Sequence, residues 1–199
     1  MELRDLLEGR RMVRSFDGTA VDEAWLDECC AVALSAPTAG NSAGVRMYTL
    51  GANDVEAYLG AATDESWRQR SRHLQGLRRA GALVLVTARV QDYLARYSEA
   101  DKASSGLSTR SAWPIPYWHT DAAMAAMALI LLLEESHWRV ALWGSFRYGD
   151  EVLRWAGIEG EELFATLFVG RGDGRDVPSP SLARCAATPA ERVRRLRPM

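Results

Sequence analysis

The sequence predicts an α+β fold: one mixed β-sheet flanked by helices and built around a buried helix over residues 120–136. Three observations lead there. Four short apolar stretches, at 45–50, 82–87, 140–143 and 163–169, have strand length, and glycine closes three of them (Gly51, Gly144 and Gly170). Between them lie segments with apolar residues at helical spacing. Residues 122–133 are apolar on every side, and a helix without a polar face is buried all round.

In chain order, residues 2–9 read as one short helix. Thr19 or Asp22 caps the next, whose apolar positions are Val21, Trp25, Leu26, Cys29 and Val32, and Pro37 stops it. The first strand follows at 45–50. Asn53 or Asp54 caps a helix through Leu59, and 63–79 reads as helical but polar. Residues 82–87 are apolar on both faces, which places that strand centrally. Residues 89–118 read as irregular. There Pro114 and Pro116 hold Trp113-Pro-Ile-Pro-Tyr117-Trp118 extended, and so many aromatics must cover either the core or a planar ligand. Thr120 or Asp121 opens the central helix. A strand at 140–143, a helix at 150–156 and a strand at 163–169 complete the series. The tail from Arg171 is rich in Gly, Pro, Ser and Arg, and either lies along a partner or is disordered.

The length of 199 residues suits one domain spanning 1–199. A net charge of −2 gives no reason to expect a nucleic-acid partner. Three cysteines, Cys29, Cys30 and Cys185, make neither a disulfide framework nor a tetrahedral metal site, and suit a reducing compartment. The start carries no apolar signal core, and the twelve-residue apolar run 122–133 falls short of the roughly 20 needed to cross a bilayer. The chain therefore reads as cytoplasmic, with no membrane partner. His73, His119 and His137 are far apart and in no metal-ligand spacing, and no nucleophile–base pair stands out. No Gly-rich phosphate loop is present either. Catalysis by this chain would fall to a cofactor, with no catalytic side chain and no metal assigned.

The stretch with the most chemistry is Gly9-Arg10-Arg11-Met12-Val13-Arg14-Ser15-Phe16. If it stays helical, Arg10 and Arg14, four apart, leave one face, and paired guanidiniums suit a phosphate. A solvated basic turn is the other reading. A second stretch, Ala36-Pro37-Thr38-Ala39-Gly40-Asn41-Ser42, follows the second helix.

Together these two stretches resemble the opening of the FMN-dependent nitroreductase family, NAD(P)H-dependent flavin oxidoreductases. Further matches follow in the family's order: Asp121 on an Ala/Leu-rich central helix, Leu142-Trp143-Gly144, the strand Leu167-Phe168-Val169-Gly170, and the tail Pro178-Ser-Pro-Ser-Leu-Ala-Arg184. The likeness covers nearly the whole chain and is weakest over 60–112. It implies a three-layer fold and an intertwined homodimer with flavin sites at the interface. FMN would be the cofactor, and NADH or NADPH the electron donor. Arg10, Arg11, Met12 and Arg14 would hold the phosphate and flank the pyrimidine. Pro37, Thr38, Ala39, Asn41 and Ser42 would approach from the other subunit. Leu142, Trp143 and Gly144 would lie against the ring, and Arg184 would reach the phosphate. Trp113, Tyr117 and Trp118 fall where the family builds its variable substrate wall.

Met12 stands where family members commonly have Ser, and Ala43-Gly44-Val45 where they have Gln-Pro-Trp. The function implied is NAD(P)H-driven reduction of a small planar acceptor, nitroaromatic or quinone, by a ping-pong cycle. Two alternatives stay open: a flavin-dependent dehydrogenase or oxidase acting on a peptide or natural product, and a non-catalytic flavin-binding protein.

Overall fold

In the computed structural model, which describes residues 2–144, 147–177, 179 and 188–195, the four apolar stretches pair as one sheet of order β1-β2-β4-β3. β1 is Val45–Gly51, β2 Ala82–Ala88, β3 Arg139–Trp143 and β4 Glu162–Gly170. β2 is buried at all of its positions, as an inner strand apolar on both faces must be. The expected mixed sheet needs correcting, because every pairing between these strands is antiparallel. β2 and β3 do run in the same direction, as strand–helix–strand crossovers favour, but β4 inserts between them. β2 likewise separates β1 from β4, which also run alike.

Helices α1 (Leu3–Gly9), α2 (Glu23–Ala33), α3 (Val55–Ala62) and α4 (Glu65–Arg70) come first. They are followed by α5 (Leu74–Leu77), α6 (Val90–Tyr97), α7 (Tyr117–Glu135) and α8 (Gly149–Ala156). Strand alternation sorts them into layers. Val84, Val86, Leu167 and Val169 point to one face, where Leu26 of α2 and Ala122, Leu129 and Leu133 of α7 cover them. Leu83, Leu85 and Phe168 point to the other, under Tyr58 and Leu59 of α3, Leu77 of α5 and Val152 of α8. Each Leu-sized side chain buried this way contributes about 1.5–3 kcal/mol. Phe16, fully buried, bridges to Gly172 and lies on Gly170, where a Cβ would come within 2.8 Å of its ring.

Three boundaries differ from the sequence reading. The polar helix expected over 63–79 is two short ones, broken where Ser71 turns extended. The stretch 89–118 contains α6, whose Val90, Tyr93, Leu94 and Tyr97 follow helical spacing. The central helix begins at Tyr117 with Pro116 at its N-cap, because proline's missing N–H costs nothing where the first turn has no acceptor for it. Nor is this helix covered all round within one chain. Trp118, Ala122, Ala125, Ala126, Leu129 and Leu133 are buried, while Tyr117, Ala123 and Met124 are exposed. Among the described residues no helix is long and apolar enough to cross a membrane.

Candidate functional site

The chain leaves α1 at Arg10, whose ψ of 134° ends the helix. Beyond it the backbone runs along the outer edge of β3: the Val13 N–H donates to the Val140 carbonyl (3.1 Å), and the Leu142 N–H points at Met12 Sδ (3.3 Å). The helical argument for pairing Arg10 with Arg14 therefore fails, since residues 10–16 are not helical. Arg10 is half-buried beside Glu134 of α7, and its Nη1 is buried without a hydrogen-bond partner among the described residues. Glu134 is 2% exposed and pairs with Arg139, while its Oε1 also lacks a partner. Burial raises the Glu134 carboxyl pKa, and Arg139 and Arg10 oppose that rise. Arg11 is exposed and donates to the Glu8 and Arg10 carbonyls, both at 2.8 Å.

Arg14 faces a different space. Its backbone N–H is tied to Asp176 (2.7 Å), and its side chain lines a cavity of about 330 Å³ with Trp67, His73, Leu77 and residues 141–144. A second cavity of about 270 Å³ shares Trp67, Trp143 and Gly144, and adds Asp64, Arg147 and Tyr148. The two indoles meet edge to face, 4.9 Å between centroids, and Trp143 leans on Phe168 at 5.6 Å. Asp64 accepts from the Trp67 N–H (2.6 Å) at the start of α4 and from the Tyr148 hydroxyl (2.8 Å), which ties α4 to α8. The result is an apolar, aromatic-walled space with cations at its ends: Arg14 in the first cavity, Arg147 in the second. His73 is half-buried there. Burial first, then Arg14 and Arg72, hold its pKa below the usual imidazole value, against Asp176.

The loop after α2 is held elsewhere. The Ala39 N–H donates to Asp121 (2.7 Å), which is 1% exposed and also accepts from the Tyr93 hydroxyl (2.9 Å). Gly40 has φ 62°, and a Cβ there would come within 2.7 Å of Tyr97. Its carbonyl accepts from Arg96 Nε (2.8 Å). Thr38 Oγ1 accepts from the Ala43 N–H (3.2 Å), Ser42 donates to the Ala39 carbonyl, and Pro37 and Asn41 are exposed. This loop enters β1 while the arginine segment flanks β3, and these are the two edge strands. Three strand spacings lie between them, roughly 14 Å. One chain does not bring the two stretches together.

Of the three aromatics flanking the prolines, two cover the core. Trp113 (8% exposed) and Trp118 (3%) pack with Ala88, Val90 and Tyr93 in a third cluster. Trp113 Nε1 donates to the Leu107 carbonyl (2.8 Å), and Trp118 Nε1 to Glu162 (3.1 Å). Tyr117 is 40% exposed. Leu142 is exposed, with Trp143 and Gly144 half-buried on the cavity wall. Arg184 lies outside the described residues. Trp67, His73 and Arg147 were missed by the sequence reading. A tryptophan in the otherwise polar run 65–72 was the one signal that pointed here.

A profile described as the nitroreductase family matches residues 7–171. No curated protein matches the sequence. Among solved structures, the nitroreductase CinD from Lactococcus lactis, in complex with nicotinic acid, is 16% identical. It superposes with a TM-score of 0.75 over 98% of this chain and 100% of its own. A protein described as an NAD(P)H:FMN oxidoreductase from Staphylococcus epidermidis is 15% identical, with a TM-score of 0.70 over 98% of this chain and 95% of its own. A nitroreductase from Exiguobacterium sibiricum, in complex with FMN, is 14% identical, with a TM-score of 0.67 over 90% and 92%. At these identities the likeness is one of fold. The profile, however, runs from within α1 to the end of β4, through every element that walls the two cavities, and on that evidence this chain belongs to the nitroreductase family.

Proposed function

We propose that this chain is an FMN-dependent oxidoreductase of the cytoplasm, one domain over 1–199. In this reading it takes electrons from NADH or NADPH and delivers them to a small planar acceptor of nitroaromatic or quinone type. The observation that carries the reading is the pair of neighbouring cavities that share Trp67, Trp143 and Gly144, with backbone at 141–144 and Arg14 at one end. Flat aromatic walls suit a planar ring, and guanidinium suits its anionic or carbonyl edge. The residues present therefore fit FMN. Bound there, the cofactor would supply the hydride and electron chemistry.

This chain's own part is to bind and orient. Arg14 would hold the electronegative end, and residues 142–144 would lie along the ring. The nicotinamide donor and the acceptor would take turns over one open face. Two solved relatives by fold support the cofactor and the donor: one is in complex with FMN, and one is described as an NAD(P)H:FMN oxidoreductase.

The loop Pro37–Ser42 would serve the same flavin only from a second copy, because roughly 14 Å of sheet separates it from Arg14 in its own chain. An intertwined homodimer also accounts for the uncovered apolar side of α7. There Met124 is exposed, and Ala128, Leu131 and Leu132 line a groove of about 300 Å³ with the exposed Leu3 of α1 and Val32 of α2. Tyr117, exposed on that side, is then the aromatic left to meet a substrate. Free Cys29 and Cys30 suit a reducing compartment.

The test is a visible spectrum of the purified protein, followed by anaerobic addition of NADH or NADPH and then of a quinone or nitroaromatic. Flavin absorbance that bleaches with the donor and returns with the acceptor supports the reading. Protein that neither carries FMN nor quenches its fluorescence on titration overturns it. Sedimentation at twice the chain mass is the matching result for the dimer, and a monomer that holds flavin would refute the shared site.

A further inference from the structure

We infer that His73 is a proton-linked contact for the electronegative group that binds beside Arg14: when FMN occupies the cavity, His73 Nε2 takes up a proton. The inference rests on the FMN reading and adds a residue and a pH dependence to it.

The geometry is specific. His73 stands at the start of α5 and lines the 330 Å³ cavity together with Arg14, whose segment crosses from β3. Three charged groups act on the imidazole: Arg14 from the N-terminal segment, Arg72 beside it in sequence, and Asp176 from the stretch after β4. Asp176 already accepts the Arg14 backbone N–H. Arg72 Nε points at His73 Nε2 (3.4 Å), so that nitrogen is an acceptor and the neutral ring carries its proton on Nδ1. With burial and two cations acting against the charged form and one carboxylate opposing them, His73 on its own is held neutral at pH 7.

An electronegative group set against Arg14 reverses that balance. It offsets the guanidinium charge, and a neutral imidazole on the wall of the same cavity offers it no charge in return. Protonation at Nε2 makes the ring a cation beside that group, and costs the long Arg72 contact together with repulsion from Arg72. The proton comes from solvent, and no other bond changes. An opposite charge this close raises a histidine pKa by about 1–3 units. Binding should then tighten as pH falls, by about threefold to tenfold per unit between the free and bound pKa values.

The experiment is calorimetric titration of FMN into flavin-free protein at pH 7.5, in two buffers of different ionisation enthalpy. At that pH the FMN phosphate, with a second pKa of about 6, is already a dianion and takes up little proton itself. Wild type is expected to take up a substantial fraction of one proton. His73→Gln, and His73→Asn as a second variant, should bind severalfold more weakly, with almost no uptake and a Kd nearly flat from pH 7 to 8.5. FMN binding without proton uptake in wild type, or uptake that persists in both variants, overturns the inference and leaves the functional reading standing. No FMN binding at any pH removes both. An imidazole NMR signal absent from His73→Gln should titrate below the usual histidine range without FMN and higher with it. A signal that does not move also overturns the inference.

Discussion

Truncating Trp113 to alanine is expected to unfold the protein at a markedly lower temperature, because this indole is the keystone of an aromatic cluster. Its ring lies 4.6 Å from that of Tyr97, 5.7 Å from Tyr117, 6.0 Å from Trp118 and 6.2 Å from Tyr93. Its Nε1 also satisfies the Leu107 carbonyl. Removing a buried Trp-sized side chain costs about 3–5 kcal/mol, transfer and cavity terms together. For a chain of this length each kcal/mol moves Tm by about 2–4 °C, so the melting point should fall by about 6–20 °C. Tyr117→Ala, at a side chain 40% exposed, should cost less than about 1 kcal/mol. It should act instead on the apparent KM for an aromatic acceptor, by about threefold to tenfold if a stacked contact is lost. The assay is thermal melting, flavin content and acceptor KM on both variants. A Trp113→Ala protein that melts within 2 °C of wild type but shows a raised KM would refute the core assignment and make the indole a substrate wall.

Gly76→Ala should be severely destabilising, because its Cβ would come 2.3 Å from the Arg14 carbonyl and 2.7 Å from Ser15 Cα, both backbone. Denaturant unfolding should show a loss above about 2 kcal/mol, with FMN affinity falling as Arg14 is displaced. His137→Gly should stabilise by about 0.5–1 kcal/mol. His137 closes α7 with φ 63° while the Trp138 N–H reaches back to Leu133, and glycine adopts that turn without strain; an unchanged or lower midpoint would contradict this. The last concerns acid. The folded pKa of His73 is depressed, so its stability contribution is present above the unfolded pKa, about 6.5, and is lost as pH falls through the folded value. Flavin-free His73→Gln should therefore lose less stability than wild type between about pH 7 and 5. Equal losses would rule the histidine out as a contributor.

How far the site could be read from the chain differs residue by residue. The run from Arg10 to Phe16 was visible as chemistry because its three guanidiniums stand in a motif whose partner stretch, Ala36 to Ser42, follows in order. Its conformation stayed open in the sequence, since helical and extended backbone both place fourth residues on a shared side. Only the hydrogen bond from Val13 to Val140 settles it as a segment along β3. Trp67, His73 and Arg147 carry no motif. They matter because α4, α5 and the turn before α8 converge on Trp143, across separations in sequence that no local pattern encodes. The aromatics of 113–118 were legible as needing cover. Whether they covered protein or ligand depended on α6, which the reading of 89–118 as irregular had overlooked.

The sequence alone determined the strands, the apolar central helix and the family, because these are written in local periodicity and in short motifs kept in order. Period two and period three-point-six declare which faces are apolar, and a face that must be buried dictates a layer. Tertiary structure decided the rest. It placed β4 between β2 and β3 and so made the sheet antiparallel, and it turned Arg10 toward Glu134 but Arg14 toward His73. It also put the Pro37–Ser42 loop at the opposite edge from the arginines. These outcomes turn on which distant segments pair, and long-range pairing is set by the summed burial of the whole core rather than by any residue's own preference.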